Sequence, residues 1–176
     1  IYGENILAGA LLVDTIHLLV GYKTPDSTDQ GHVVTTSRTL AEIEKLLDER
    51  RFAAARHEME KQPDTEAAKS LPVNDQYLLL RFRGRLAMED GDWAAASKLL
   101  VAAYEVAPDS DQAKQNHVLG LSLGGDRDKA YEAAKEHIGG GVRTNVMAAR
   151  VIDCVSSLDQ LAEQSSLIDQ YREIDA

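Results

Sequence analysis

Cysteine is almost missing from this chain of 176 residues, and so is any surplus of positive charge. The single Cys154 excludes an internal disulfide framework and any thiolate zinc cage built within one chain. Lys plus Arg number 19 against 29 Asp plus Glu, a net charge of −10. Nucleic acid and anionic membrane surfaces both need concentrated positive charge, so neither is an expected partner. Aromatics make up only 5% while alanine is abundant, a balance that leans towards helix. A hydrophobic share of 44% with 27% charged residues is that of a globular chain, long enough for one domain or one compact array with a tail.

The chain opens on Ile1 rather than Met, as expected of a processed or trimmed product. Its first 22 residues, IYGENILAGALLVDTIHLLVGY, are the most apolar stretch. Glu4, Asp14 and His17 interrupt the run that a membrane span requires, and no Lys or Arg precedes Lys23 as a signal peptide would want. Ile6, Ala10, Val13, Ile16 and Val20 recur at helical spacing, which predicts an apolar helix docked on the protein or on a partner. Membrane contact through residues 1–22 is the weaker alternative. Residues 23–36 are rich in turn formers and read as a linker, with room for a short strand at His32–Thr36.

From Ser37 onward the pattern is helix, short turn, helix, stop. Thr39-Leu40-Ala41-Glu42 resembles a capping box ahead of Leu40, Ile43, Leu46 and Leu47. RRFAAARHEMEK follows and stops at Pro63. The second unit is DQYLLLRFRGRLAMED, then Gly91-Asp92, then WAAASKLLVAAYEV up to Pro108. The third is QAKQNHVLGLSLGG, then Asp126-Arg127, then DKAYEAAKEHI up to Gly139-Gly140-Gly141. Taking Phe52, Trp93 and Arg127 as equivalent gives spacings of 93 − 52 = 41 and 127 − 93 = 34. Periods of this size belong to arrays of helical hairpins.

Within the second unit Gly84, Gly91, Ala96, Leu100, Ala103 and Pro108 stand at fixed intervals. Gly84 leaves room for two helices to approach, and Ala96 and Ala103, seven apart, share a face that admits the next hairpin. Pro108 ends the unit, and Trp93 is expected to seal the turn as an apolar peg. In these positions the stretch resembles the tetratricopeptide repeat family, clearly over 77–138 and more weakly back to 37. The first unit departs from the pattern by lacking a glycine in its leading helix and by carrying the insertion DTEAAKSLP. The third has Leu119-Gly120 in place but turns two residues early and puts His137 where the second has alanine. An ordinary antiparallel helical bundle is the alternative for the same stretch.

Residues 139–176 read as a capping pair. One helix is built on Val146, Ala149, Val151, Ile152 and Val155, the other on Leu158, Leu161, Ile168 and Tyr171. The expected fold is therefore all-α: a helical-hairpin solenoid of about three repeats over 37–138, with C-terminal capping helices and an apolar N-terminal helix.

Motifs for chemistry fail one by one. His57-Glu58-Met59-Glu60 lacks the second histidine of a zinc-peptidase helix, leaving a surface histidine among carboxylates. Asp90-Gly91-Asp92 and Asp126-Arg127-Asp128 have too few acidic positions for a calcium loop and read as helix caps. Gly139-Gly140-Gly141 lacks the Lys-Ser or Lys-Thr of a phosphate loop, and Cys154 among Val151, Ile152 and Val155 reads as a core residue. No nucleophile elbow is present. The expectation is a protein without catalytic residues, metal or cofactor.

One constellation is basic. Arg81 and Arg85, four apart, share a helix face, with Arg83 turned elsewhere. The family resemblance implies that first helices line a concave groove, which would point Arg81 and Arg85 into it, with Lys114 and His117 in comparable places on the third unit. It also implies a protein or peptide partner with an acidic segment or C-terminal carboxylate, gripped by the planar guanidinium fork. Tyr77 and Met88 would add apolar contact. A solvated face neutralised by Glu89 and Asp90 is the alternative. The expected role is an adaptor, assembly factor or chaperone. The second reading is a structural subunit of a larger, membrane-associated or soluble complex, held through residues 1–22. A cytoplasmic home fits one cysteine, and a periplasmic or membrane-associated one is compatible with it.

Overall fold

The computed structural model describes residues 38–142, 144–157 and 159–163, all within the compact unit Thr35–Ala176. The apolar helix, linker and short strand expected before residue 37, and the end of the last capping helix, lie outside the described residues. Every regular element among the described residues is helical.

The first helix, α1 (Arg38–Asp48), buries Leu40, Ile43, Leu46 and Leu47 along one stripe, as the sequence spacing predicts. Thr39 lies inside its first turn and is exposed, so the expected capping box is not what opens it. After α1 come α2 (Phe52–Glu60), α3 (Thr65–Ala68), α4 (Val73–Glu89) and α5 (Trp93–Val106). They are followed by α6 (Asp111–Leu123), α7 (Arg127–Gly139) and α8 (Asn145–Cys154). The insertion DTEAAKSLP supplies α3, capped where Asp64 Oδ1 accepts a bond from the Ala67 amide at 2.8 Å.

Three turns share one hydrogen-bond pattern. The Arg51, Asp92 and Asp126 amides each reach back five residues, to Leu46, Ala87 and Leu121, at 2.8, 2.9 and 3.1 Å. The residue before each donor adopts positive φ: Arg50 at 56°, Gly91 at 73° and Gly125 at 85°. This is the glycine-terminated helix end, in which the left-handed residue lets the next amide satisfy an orphan carbonyl. Arg50 fills that position without glycine's freedom. Val142 repeats the bond to His137 at 3.0 Å after Gly141 at φ 100°, so the glycine triplet does terminate α7.

Each of these three turns joins helices that pack on each other: α1 on α2, α4 on α5, α6 on α7. Further packing runs α5 on α6 and α7 on α8, with α1 on α4 and α6 on α8. Gly84 and Gly120 set the closest approaches. A Cβ on Gly84 would stand 2.9 Å from Leu100 Cδ2, and one on Gly120 would stand 3.1 Å from both Leu100 Cβ and the Ser97 carbonyl. Ala96 and Ala103 are fully buried, as small residues at a helix contact must be.

Apolar side chains gather in two clusters, one from Leu40 to Leu86 with Ala103 and Ala113, the other from Val118 to Cys154. α6 contributes Ala113 to the first and Val118 to the second. Two expectations need correction. Trp93 is 38% exposed, so it is not the buried peg expected at the turn. The buried face of α8 consists of Met147, Arg150, Val151 and Cys154, and Ile152 is 51% exposed.

Candidate functional site

Helix α4 carries Arg81, Arg83 and Arg85, and the three guanidinium groups go to different places. Arg81 Nη1 donates to Glu44 Oε1 of α1 at 3.0 Å. Arg85 Nη1 donates to Asp48 Oδ1 at 2.8 Å, and its Nη2 donates to the Leu47 carbonyl at 2.7 Å. The pair does share a face, but that face clasps α1. Carboxylates of the neighbouring helix, Glu44 and Asp48, neutralise them. Asp90 pairs instead with Arg56 of α2.

Tyr77 and Met88 are 6% and 8% exposed, so their apolar surface is turned inward. The Tyr77 hydroxyl accepts a bond from Asn116 Nδ2 of α6 at 3.4 Å, and burial pushes its phenol above the usual range. Lys114 pairs with Asp111 one turn earlier at 3.6 Å. His117 lies against Tyr104 and His137. Of the six residues singled out, then, five make side-chain contacts within the fold, and the sixth, Met88, is buried.

Arg83 behaves differently. Its Nη2 donates to the Pro63 carbonyl, while its Nη1 is buried with no hydrogen-bond partner. Burial works against its charge, and nearby Asp64 partly restores it. A buried cationic nitrogen without an acceptor is costly, on the order of 1–3 kcal/mol. The Arg83 side chain lines an open cleft of about 490 Å³ between α2 and α4. Met59 and Leu86, both buried, and Ala87 form the apolar lining; Arg56, Glu60, Gln62, Asp64 and Asp90 complete it. The insertion that forms α3 falls between the two helices bordering this cleft.

Several polar groups lie in the interior without a sequence signal of burial. Gln115, Asn116, His137 and Arg150 are all buried. Gln115 Nε2 donates to Thr144 Oγ1 at 3.0 Å, tying α6 to the cap of α8, whose Met147 amide donates to the same oxygen at 3.1 Å. Arg150 leaves its Nε unpartnered, and burial lowers its guanidinium pKa. A polar residue at an interior helical position carries no local mark of burial, which depends on the neighbour that bonds it.

The remaining sequence candidates have plain places. His57 Nδ1 stands 4.0 Å from Glu60 Oε2 on the surface. Asp92 caps α5 through the Ala95 amide at 2.9 Å, whereas Asp126 makes no cap and pairs with Lys129. Cys154 is buried in the second cluster, and burial pushes its thiol up to about 11. Among the described residues no group of three His, Cys, Asp or Glu could hold a metal, and no helix is long and apolar enough to cross a membrane.

No family model matches the chain, and comparison with curated proteins and with solved structures likewise gives no match.

Proposed function

We propose that the chain is a non-catalytic protein-interaction module, an adaptor, assembly factor or chaperone, that receives a peptide or helix of a partner protein. The observation that carries this reading is the α2–α4 cleft, where the part-buried Arg83 stands beside apolar Met59 and Leu86. An acidic side chain or a C-terminal carboxylate of the partner would meet the accessible part of that guanidinium, and an adjoining apolar side chain would cover the lining. Its volume of about 490 Å³ suits a few side chains.

The same reading takes α1/α2, α4/α5 and α6/α7 as three tetratricopeptide-like units of a solenoid, closed by α8. Its support is the recurrence of one turn at Arg50, Gly91 and Gly125, spaced 91 − 50 = 41 and 125 − 91 = 34. α1, α4 and α6 would then line the concave side. Arg81 and Arg85 would serve that surface by fixing α1 on α4, since a carboxylate reaching them must displace Glu44 or Asp48. The cleft sets Arg56 and Arg83 against Glu60, Asp64 and Asp90, so an acidic segment would have to displace Asp90 from Arg56 to be gripped there.

The test is affinity capture from the native source with identification of the captured protein, repeated with Arg83→Glu. Loss of that protein with retained helicity supports the cleft; undiminished capture refutes it. Deleting residues 1–30 addresses the second reading, for which the apolarity of residues 6–20 speaks. Loss of the complex in that deletion, with capture unaffected by Arg83→Glu, assigns the contact to the N-terminal segment.

A further inference from the structure

Three rings from three successive helices meet where α5, α6 and α7 join. Tyr104 of α5 stacks on His117 of α6, with centroids 4.1 Å apart and planes within 7°. His137 of α7 tilts against both, at 5.3 Å from Tyr104 and 5.5 Å from His117. His117 Nδ1 and His137 Nε2 lie 3.2 Å apart, and His137 is buried.

At that distance the two nitrogens share one hydrogen bond when both imidazoles are neutral, one ring donating and the other accepting. A first proton leaves the bond in place, because a charged ring still donates to a neutral one. A second proton removes the last acceptor and sets two cations against each other at 3.2 Å. The contact that spans α6 and α7 then becomes a repulsion.

The charged neighbours are few. Glu136 favours the charged form of both rings, Lys114 opposes it on His137, and each ring is disfavoured most by its own burial. From α5 the facing group is the Tyr104 phenol. From α4 Tyr77 bonds Asn116 beside His117 on α6, and from α8 Arg150 and Asp153 act on each other and on Cys154, with Arg127 acting on Asp153 and Cys154.

We propose that Tyr104, His117 and His137 form a pH-sensitive joint, which holds α5, α6 and α7 together while the imidazoles are neutral and loosens as both take up protons. Because both rings bind protons less readily folded than unfolded, the stabilisation is complete above the ordinary imidazole value of about 6.5. It is lost as pH falls below that value, where the unfolded chain binds protons first. The joint is independent of what the α2–α4 cleft binds.

Hydrogen exchange of the full chain, corrected for intrinsic rates and measured near about pH 7.5 and about pH 5, tests the proposal. Protection across residues 111–139 should fall several-fold at the lower pH relative to residues 38–60. His137→Gln, which keeps a polar group but cannot titrate, should remove most of that difference. Equal protection of the wild type at both pH values, or an undiminished difference in the variant, overturns the joint. If His137→Gln does not fold, NMR titration of the wild-type imidazoles decides the matter. Two rings titrating below a free imidazole with mutually dependent curves support the joint, and two independent ordinary imidazoles refute it.

Discussion

Leu100 fills the space that a side chain on Gly84 would need, with its Cδ2 only 2.9 Å from where that Cβ would stand. The same leucine faces Gly120 on the other side, its Cβ 3.1 Å from the corresponding point. One buried side chain on α5 is thus received by a glycine from α4 and a glycine from α6, which lets three helices approach closely.

Arg50 occupies a left-handed turn position that glycine holds in the two equivalent turns. A left-handed non-glycine residue costs about 1–2 kcal/mol, partly offset by the unfolded-state freedom that glycine brings. Arg50→Gly should therefore stabilise the protein by about 0.5–1 kcal/mol, read as a melting midpoint about 2 °C higher. A lower midpoint would contradict the strain assigned to this turn.

Arg85 both pairs with Asp48 and donates to the Leu47 carbonyl near the end of α1. Arg85→Glu replaces those bonds with a carboxylate facing a carboxylate and the negative end of a helix. It should destabilise by about 2 kcal/mol or more in chemical denaturation. A groove-facing or solvated Arg85, as the sequence suggests, would lose no such bonds, so the clasp on α1 is what makes the change destabilising. An unaltered denaturation midpoint would return Arg85 to the list of free groove residues.

Cys154, with its thiol pushed up to about 11, should resist alkylation in the native protein. At about pH 8 only about one thiol in a thousand is ionised, and the sulfur is buried besides. Iodoacetamide labelling should become fast only in denaturant. Rapid native labelling would show that the second cluster opens around this residue.

What could be read in the sequence follows from what kind of interaction each residue makes. Gly84, Ala96 and Ala103 were legible because small size at helical spacing has one structural use. The hairpin turns were legible through Gly91 and the glycine run, whereas Arg50 hid the first one because it departs from the residue type the turn prefers. The destination of Arg81 and Arg85 was not legible, since an arginine four residues from another looks the same whether it meets solvent, a ligand or Glu44 of another helix. His137 was noticed only as a departure from the second unit. Its meaning lies in Tyr104 and His117, 33 and 20 residues away, and no local pattern links them.

The nesting of α5 between two glycines is tested most directly by Gly120→Ala, followed by thermal and chemical denaturation. On an exposed helix this change stabilises by about 1 kcal/mol through helix propensity. At Gly120 the new methyl meets the Ser97 carbonyl at 3.1 Å, an oxygen of the backbone that cannot step aside. The expected result is a net loss of about 1–2 kcal/mol, because overpacking outweighs propensity. A variant more stable than the wild type would mean that α5 and α6 do not approach as described, and the account of how these hairpins stack would be wrong.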